Sequence, residues 1–253
     1  MGTSDPWPSE AELDEAYAGA YRPTGGRFAG PGDRLLRFTR SRLAERIEQI
    51  APEGPVLDVG AGEGWLVEAL GARAVGIERG DGPWPGGPWA AVIFWHSLEH
   101  LPAPREALRQ AASELRPGGV VVLALPNAAS LQAAAFGGRW LALDPPRHLV
   151  HVPAKSLLAG ASDAGLRVER VSYWRGGQVL IGWLHGLVGL LPGHPSLYEA
   201  LRVSSARWTA VSPARRAYAI AAGLVLSPIA LACSALEVAC GRGGSVYVEA
   251  RRA

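Results

Sequence analysis

Five residues, Gly60-Ala-Gly-Glu-Gly64, make a G-x-G-x-G turn directly after the apolar run Val56-Leu-Asp-Val59. A glycine-rich turn between a buried strand and a helix lets backbone N–H groups at the helix start approach a ligand closely. Glu78 closes the next apolar run, Ala74-Val-Gly-Ile77, 18 residues after Gly60. An acid about 20 residues beyond the first glycine is placed to accept hydrogen bonds from a ribose. The combination points to a nucleotide-type ligand, and a turn serving packing alone is the weaker reading. The spacing is not the G-x-G-x-x-G of dinucleotide enzymes, which weighs against a nicotinamide oxidoreductase.

His96, His100, His148 and His151 are the candidates for moving a proton, because imidazole titrates near neutral pH. His96-Ser-Leu-Glu-His100 also fits H-x-x-E-H, a zinc-protease pattern. That chemistry needs a helix to bring both imidazoles to one face. Here the segment follows an apolar strand and runs into Pro102, so no metal is expected.

These residues need a frame. Asp33 reads as an N-cap, with a helix from Arg34 to Ile50 carrying Leu36, Leu43, Ile47 and Ile50 at helical spacing. Arg34, Arg37, Arg40, Arg42 and Arg46 on that helix read as a solvated face. Before it, residues 1–32 read as a mobile leader with Trp7, Tyr17, Tyr21 and Phe28. After Pro52-Glu-Gly-Pro55, strands are expected at 56–59, 74–77, 90–95, 120–125, 167–174 and 245–251. Helices fall between them, from Trp65 to Gly71, over 105–115 and over 154–164, with a turn at Arg116-Pro-Gly-Gly119. Alternating strands and helices imply an α/β fold with a mostly parallel, doubly wound sheet.

Of the 253 residues, 48% are hydrophobic and 19% charged, where soluble domains carry about 25% charge. Dominant disorder is excluded. A net charge of +2 is too mild to imply nucleic acid, and none is expected as a partner. Cys233 and Cys240 suggest no disulfide framework, and the acidic start carries no apolar signal segment; both fit a cytoplasmic setting.

The stretch Val56-Leu-Asp-Val-Gly-Ala-Gly-Glu-Gly64, with Asp58 two residues before the first glycine, resembles the first motif of class I S-adenosylmethionine-dependent methyltransferases. The similarity continues through Pro83–Val92, Trp95-His-Ser-Leu-Glu-His-Leu101 and Leu115-Arg-Pro-Gly-Gly119. Asp144-Pro-Pro-Arg-His-Leu149 is similar to a loop in the branch that includes quinone-type O-methyltransferases. The resemblance covers residues 56–174 and 245–251 and implies a Rossmann-like fold with S-adenosyl-L-methionine as cofactor. It implies that Asp58 belongs to the cofactor site and that the backbone of the turn, Gly60, Ala61, Gly62 and Gly64, holds the methionine end. Glu78 would hold the ribose, Asp81 or the loop after it would meet the adenine, and Trp95 and His96 would flank it. His148, in the loop expected over the mouth of the site, is the chosen base for a hydroxyl acceptor.

Two departures from the family pattern shape the expectation. Only Arg79 to Trp89 separates the second strand from the next, eleven residues reaching about 36 Å. A strand and two helices do not fit there, so the sheet should lack its third edge strand. Between the last two strands lies an insert, 175–244, expected to be helical and apolar. Gln178 to Leu191 and Ala217 to Leu236 carry no formal charge, and the second is long enough to span a bilayer. Both ends of the insert belong to one sheet, so a single crossing is impossible. An interfacial or re-entrant hairpin through 178–240 is favoured over a cap on the domain or on a second subunit, with Arg207, Arg215, Arg216 and Arg242 flanking it.

The expected organisation is therefore a leader and helix over 1–51, a methyltransferase core over 52–174 and 245–253, and the insert. The expected function is methyl transfer to a small or lipid-like acceptor, at the inner membrane surface. A non-catalytic nucleotide-binding or membrane-associated protein is the alternative.

Overall fold

A computed structural model describes residues 2–17, 31–174, 177–202 and 211–252. The expectations placed on Tyr21, Phe28, Arg175 and Arg207 lie outside them. In chain order the elements are β1 (Gly2–Thr3), α1 (Glu10–Tyr17), α2 (Pro31–Ile50), β2 (Val56–Val59), α3 (Trp65–Leu70), β3 (Ala74–Ile77) and β4 (Trp89–Trp95). Then come α4 (Pro104–Ser113), β5 (Leu115–Pro126), α5 (Leu131–Phe136), β6 (Val150–His151), α6 (Ala154–Asp163) and β7 (Leu166–Ser172). The insert contributes α7 (Gly177–Gly189), α8 (Leu197–Leu201) and α9 (Pro213–Ala239), and β8 (Ser245–Arg252) follows.

The main sheet has six strands in the order β3-β2-β4-β5-β8-β7. β2, β3, β4 and β5 run parallel, while β8 is antiparallel to both β5 and β7. This is the Rossmann-like, mostly parallel sheet expected. β3 is its edge, and residues 78–88 add no strand beyond it. The Arg116–Gly119 turn lies inside β5, looped out of register where Trp89 faces Leu115 and Ala91 faces Val120.

Strand side chains alternate between two cores because successive residues point to opposite faces. Val56, Ala91, Ile93, Val120 and Val122 meet Leu43 and Ile47 of α2 and Leu66 of α3. Leu57, Val92, Phe94, Val121 and Leu123 meet Leu108 of α4 and Leu157 of α6. A third cluster joins the insert to the sheet's carboxyl end: Phe136 and Trp140 pack on Val179, Trp183 and Ala230.

Three expectations are corrected. Residues 2–17 are not a mobile leader: β1 pairs antiparallel with β6, and Leu13 of α1 is buried in the larger core. The local cause is a capping box, in which Glu12 accepts from Ser9 N at 2.8 Å and Ser9 Oγ accepts from Glu12 N at 3.3 Å. α2 begins at Pro31, so Asp33 sits in its first turn and not at its cap. The arginines of α2 are not all a solvated face, because Arg40 lies over the Trp95 ring and Arg46 reaches the sheet.

Arg46 donates from Nε and Nη2 to both oxygens of buried Glu249, at 2.9 and 2.8 Å, and Tyr247 Oη donates to the same carboxylate at 2.8 Å. Burial pushes the Glu249 carboxyl up, but these donors outweigh it and hold it below its ordinary value. Its stabilising effect is therefore present above about pH 4.5 and is lost as pH falls through the lower folded value. Arg46→Ala should cost about 2 kcal/mol in urea unfolding at pH 7, less than a fully buried pair because Arg46 is partly exposed. The difference from wild type should shrink below pH 4.5, and a difference independent of pH would refute the assignment.

Candidate functional site

The glycine turn is built by close approach. Gly60 N and Ala61 N donate to Ile77 O at 2.8 and 3.2 Å, tying the turn to the end of β3. Gly60 has φ +80°, and a Cβ there would fall 2.4 Å from Ser97 Cβ, just past the end of β4. Gly62 and Gly64 also have positive φ, yet a Cβ on either would meet open space. Glycine is thus required at 60 for room and conformation, and at 62 and 64 for conformation and for a bare face toward a ligand.

Acids surround the turn. Glu78 accepts from Gly62 N, and Asp81 Oδ2 accepts from Glu78 N at 2.7 Å. Asp58 is 2% exposed, and its Oδ1 has no hydrogen-bond partner among the described residues. Burial pushes its carboxyl up to about 7, with Arg40 pulling it down and Glu78 pushing it up. Arg40 also places its guanidinium 4.8 Å from the centroid of the Trp95 ring.

A second group hangs from the end of β4. His96 takes φ +54°, uncommon for a residue with a side chain and met mostly where the surroundings enforce it. Its Nδ1 lies 3.4 Å from Glu99 Oε1, and its Nε2 lies 2.8 Å from Gln178 Nε2 at the start of α7. His148 Nδ1 donates to Ala142 O at 2.8 Å, and its Nε2 sits 4.0 Å from Glu99 Oε1 and 3.8 Å from Asp144 Oδ2. Its ring meets that of His100 edge to face, 4.7 Å between centroids. Burial lowers the His148 pKa. Burial alone would raise the Glu99 carboxyl, but His96, His148 and His100 hold it down to about 2.

The expected residues therefore form two adjoining groups. Asp58, Gly60, Ala61, Gly62, Gly64, Glu78 and Asp81 surround the turn. His96 and His148 meet around Glu99, and the Gly60–Ser97 approach and Trp95 join the two groups. His151 lies apart, opposite Gly2 in the small sheet. His96–His100 is a strand end followed by a short 3₁₀ turn, so no zinc-protease helix forms. Arg40, Ser97, Glu99 and Gln178 were not singled out from the sequence as site residues. H-x-x-E-H contained Glu99, but no local pattern marks the inward turn of Arg40 or the reach of Gln178.

A model of the methyltransferase domain matches residues 33–171, more than half of the chain. The chain belongs to this methyltransferase family. The resemblance to class I S-adenosylmethionine-dependent methyltransferases is borne out, and S-adenosylmethionine is the cofactor. The chain is 28% identical over 180 residues to the ubiquinone biosynthesis O-methyltransferase of Xanthomonas axonopodis pv. citri (strain 306), covering 56% of this chain and 75% of that protein. Among solved structures, a SAM dependent methyltransferase from Archaeoglobus fulgidus aligns at TM-score 0.48 and 16% identity, over 84% of this chain and 92% of that one. The [4+2]-cyclase SpnF aligns at TM-score 0.45 and 19% identity, over 84% and 80%. The non-catalytic alternative is not favoured.

Asp58 carries a pH signature for this methyltransferase. Its folded pKa of about 7 exceeds its ordinary 3.8, so between those values the native chain keeps a proton that the unfolded chain releases. Stability falls as pH rises through that window, by roughly 2–4 kcal/mol in all. The Tm of Asp58→Asn should gain on that of wild type from pH 4 to 7, and parallel Tm curves would contradict a buried, protonated Asp58.

Proposed function

We propose that the chain methylates a hydroxyl on a lipid-like acceptor at a membrane surface, on its cytoplasmic side. The observation that carries this reading is that the insert serves two surfaces at once. α7 sends Gln178 to His96 at the site, while α9, packed on α7, exposes Leu224, Val225, Ile229, Leu231 and Leu236. α9 has a mean hydropathy of 2.1 over its apolar window, only 28% of which is buried. A contiguous apolar face of this kind suits an interfacial helix pair.

The turn suits the cofactor on two counts. The unpartnered, buried Asp58 Oδ1 can accept from the ammonium group of the methionine end, and bare Gly62 and Gly64 leave space for it. In this reading Gly60, Ala61, Gly62 and Gly64 hold that end, Glu78 turns from Gly62 N to the ribose hydroxyls, and Asp81, Trp95 and His96 line the adenine side. When bound, S-adenosylmethionine supplies a sulfonium methyl with a good leaving group. The chain's own task is then mostly placement. His148 carries its proton on Nδ1, so Nε2 is free to take the acceptor's hydroxyl proton.

Titration calorimetry should show S-adenosylmethionine and S-adenosylhomocysteine binding and no NADH binding. Gly62→Val should weaken the first two at least tenfold while the far-UV spectrum is kept. Binding of NADH instead would sink the cofactor assignment. In flotation with vesicles of neutral and anionic phospholipid, wild type should rise with the lipid. Leu224→Glu combined with Val225→Glu should stay behind with S-adenosylhomocysteine binding intact. A wild-type chain that never floats would sink the membrane reading.

A further inference from the structure

Gln178, Gly182 and Gly186 lie on one stripe of α7, because residues four apart share a helix face. The two glycines press that stripe onto α5. A Cβ at Gly182 would overlap the Gln132 amide, and one at Gly186 would overlap the Phe136 ring. Val179, next to Gln178, is buried with Phe136 and Trp140, and its carbonyl accepts from Gln132 Nε2 at 3.3 Å. This close fit fixes both the roll and the register of α7 on α5. Gln178 is the only member of the stripe with a side chain, and it reaches the end of β4.

The residue it meets there needs holding. His96 keeps a left-handed φ of +54°, which persists only where the surroundings impose it. Its backbone N donates to Ala124 O at 2.7 Å, so the strand end is fixed and the direction of the ring remains to be set. His96 Nδ1 faces Glu99 Oε1 at 3.4 Å. A carboxylate can only accept, so the neutral ring carries its proton on Nδ1 and a lone pair on Nε2. Gln178 Nε2 donates to that lone pair at 2.8 Å, and Gln178 Oε1, 3.0 Å away, can accept when the ring is protonated. A carboxamide, donor and acceptor in one group, serves both states. We propose that Gln178 is a positioning residue for methyl transfer: from the insert it holds the His96 ring in the wall of the cofactor site. The inference rests on the reading that His96 lines the adenine side of that site. It gives the insert a second task, separate from docking on lipid. The matched methyltransferase domain ends at residue 171, so this partner of His96 comes from outside it.

The test is a double-mutant cycle on the full chain, read by calorimetric titration with S-adenosylhomocysteine in the absence of lipid. Gln178→Met keeps the length of the side chain and removes its amide. It should weaken binding about fivefold, the order of one lost hydrogen bond. His96→Asn tolerates the left-handed backbone and is too short to reach position 178. In that background Gln178→Met should weaken binding no further. Gln178→Asn, one methylene shorter, should match Gln178→Met. Gln178 is exposed, so both of its variants should melt as wild type does. Unchanged affinity in Gln178→Met, or an equal loss from it with and without His96, overturns the inference alone. Wild-type affinity in His96→Asn overturns it through the reading on which it rests, and a wild type that binds no S-adenosylhomocysteine overturns the cofactor site as a whole. A chain that binds as expected here and never floats with vesicles loses the membrane reading and keeps this one.

Discussion

The missing side chain at position 60 is the constraint on which the site depends. With no Cβ there, the end of β2 closes onto Ser97 at the end of β4. The cofactor turn and the histidine group around Glu99 therefore stand side by side at the ends of neighbouring strands. A larger residue would separate the two strand ends by more than a side-chain rotation could absorb. The left-handed backbone at the same residue also aims the turn's later N–H groups past β3, where Glu78 meets Gly62. One residue type thus answers both a steric and a conformational demand.

The short connection after β3 is offset by the chain's beginning. Just past β3, Arg79 donates to Asp14 at 2.7 Å, pairs with Glu10 and lies over the Tyr17 ring. Tyr17 Oη in turn sits 2.9 Å from His100 Nδ1, and Leu13 enters the core. Deeper in the same loop, Trp84 packs against Phe94 at 5.7 Å between centroids. α1 thus straps the chain that leaves the β3 edge, and β1 pairs with β6. The strap reaches the histidine loop as well, with Ser4 Oγ donating to His148 O at 2.9 Å.

The insert is a helical elaboration of what would otherwise be the hairpin between β7 and β8. Its anchorage is polar as well as apolar. Glu237, fully buried, accepts from Trp183 and from Gln132 Nε2 at 2.9 Å, and burial raises its pKa. Gln132 belongs to α5, so this network fastens α9 and α7 to the methyltransferase core. The fastened side is small-residue and aromatic, and the free side is aliphatic.

Much of the core was legible in the residues. Short continuous apolar runs at β2, β4 and β5, the glycines of the turn and the distance to Glu78 are local signals, because a buried strand and a turn are each decided within a few residues. The order of the strands could be expected only through family resemblance, and the reduced sheet through a length of chain too short for more. Other features carried no local mark. β1 and β6 are two residues each and pair across most of the core, too short for any periodicity. Arg40 and Arg46 look like their exposed neighbours on α2, and only the packing angle of that helix turns them to Trp95 and Glu249. By itself the sequence determined a glycine turn, its acid and an apolar insert, each defined by covalent neighbours. The tertiary structure decided which histidines surround Glu99, what straps the chain leaving β3 and which face of α9 stays bare. Those depend on side chains brought together from segments far apart in the chain.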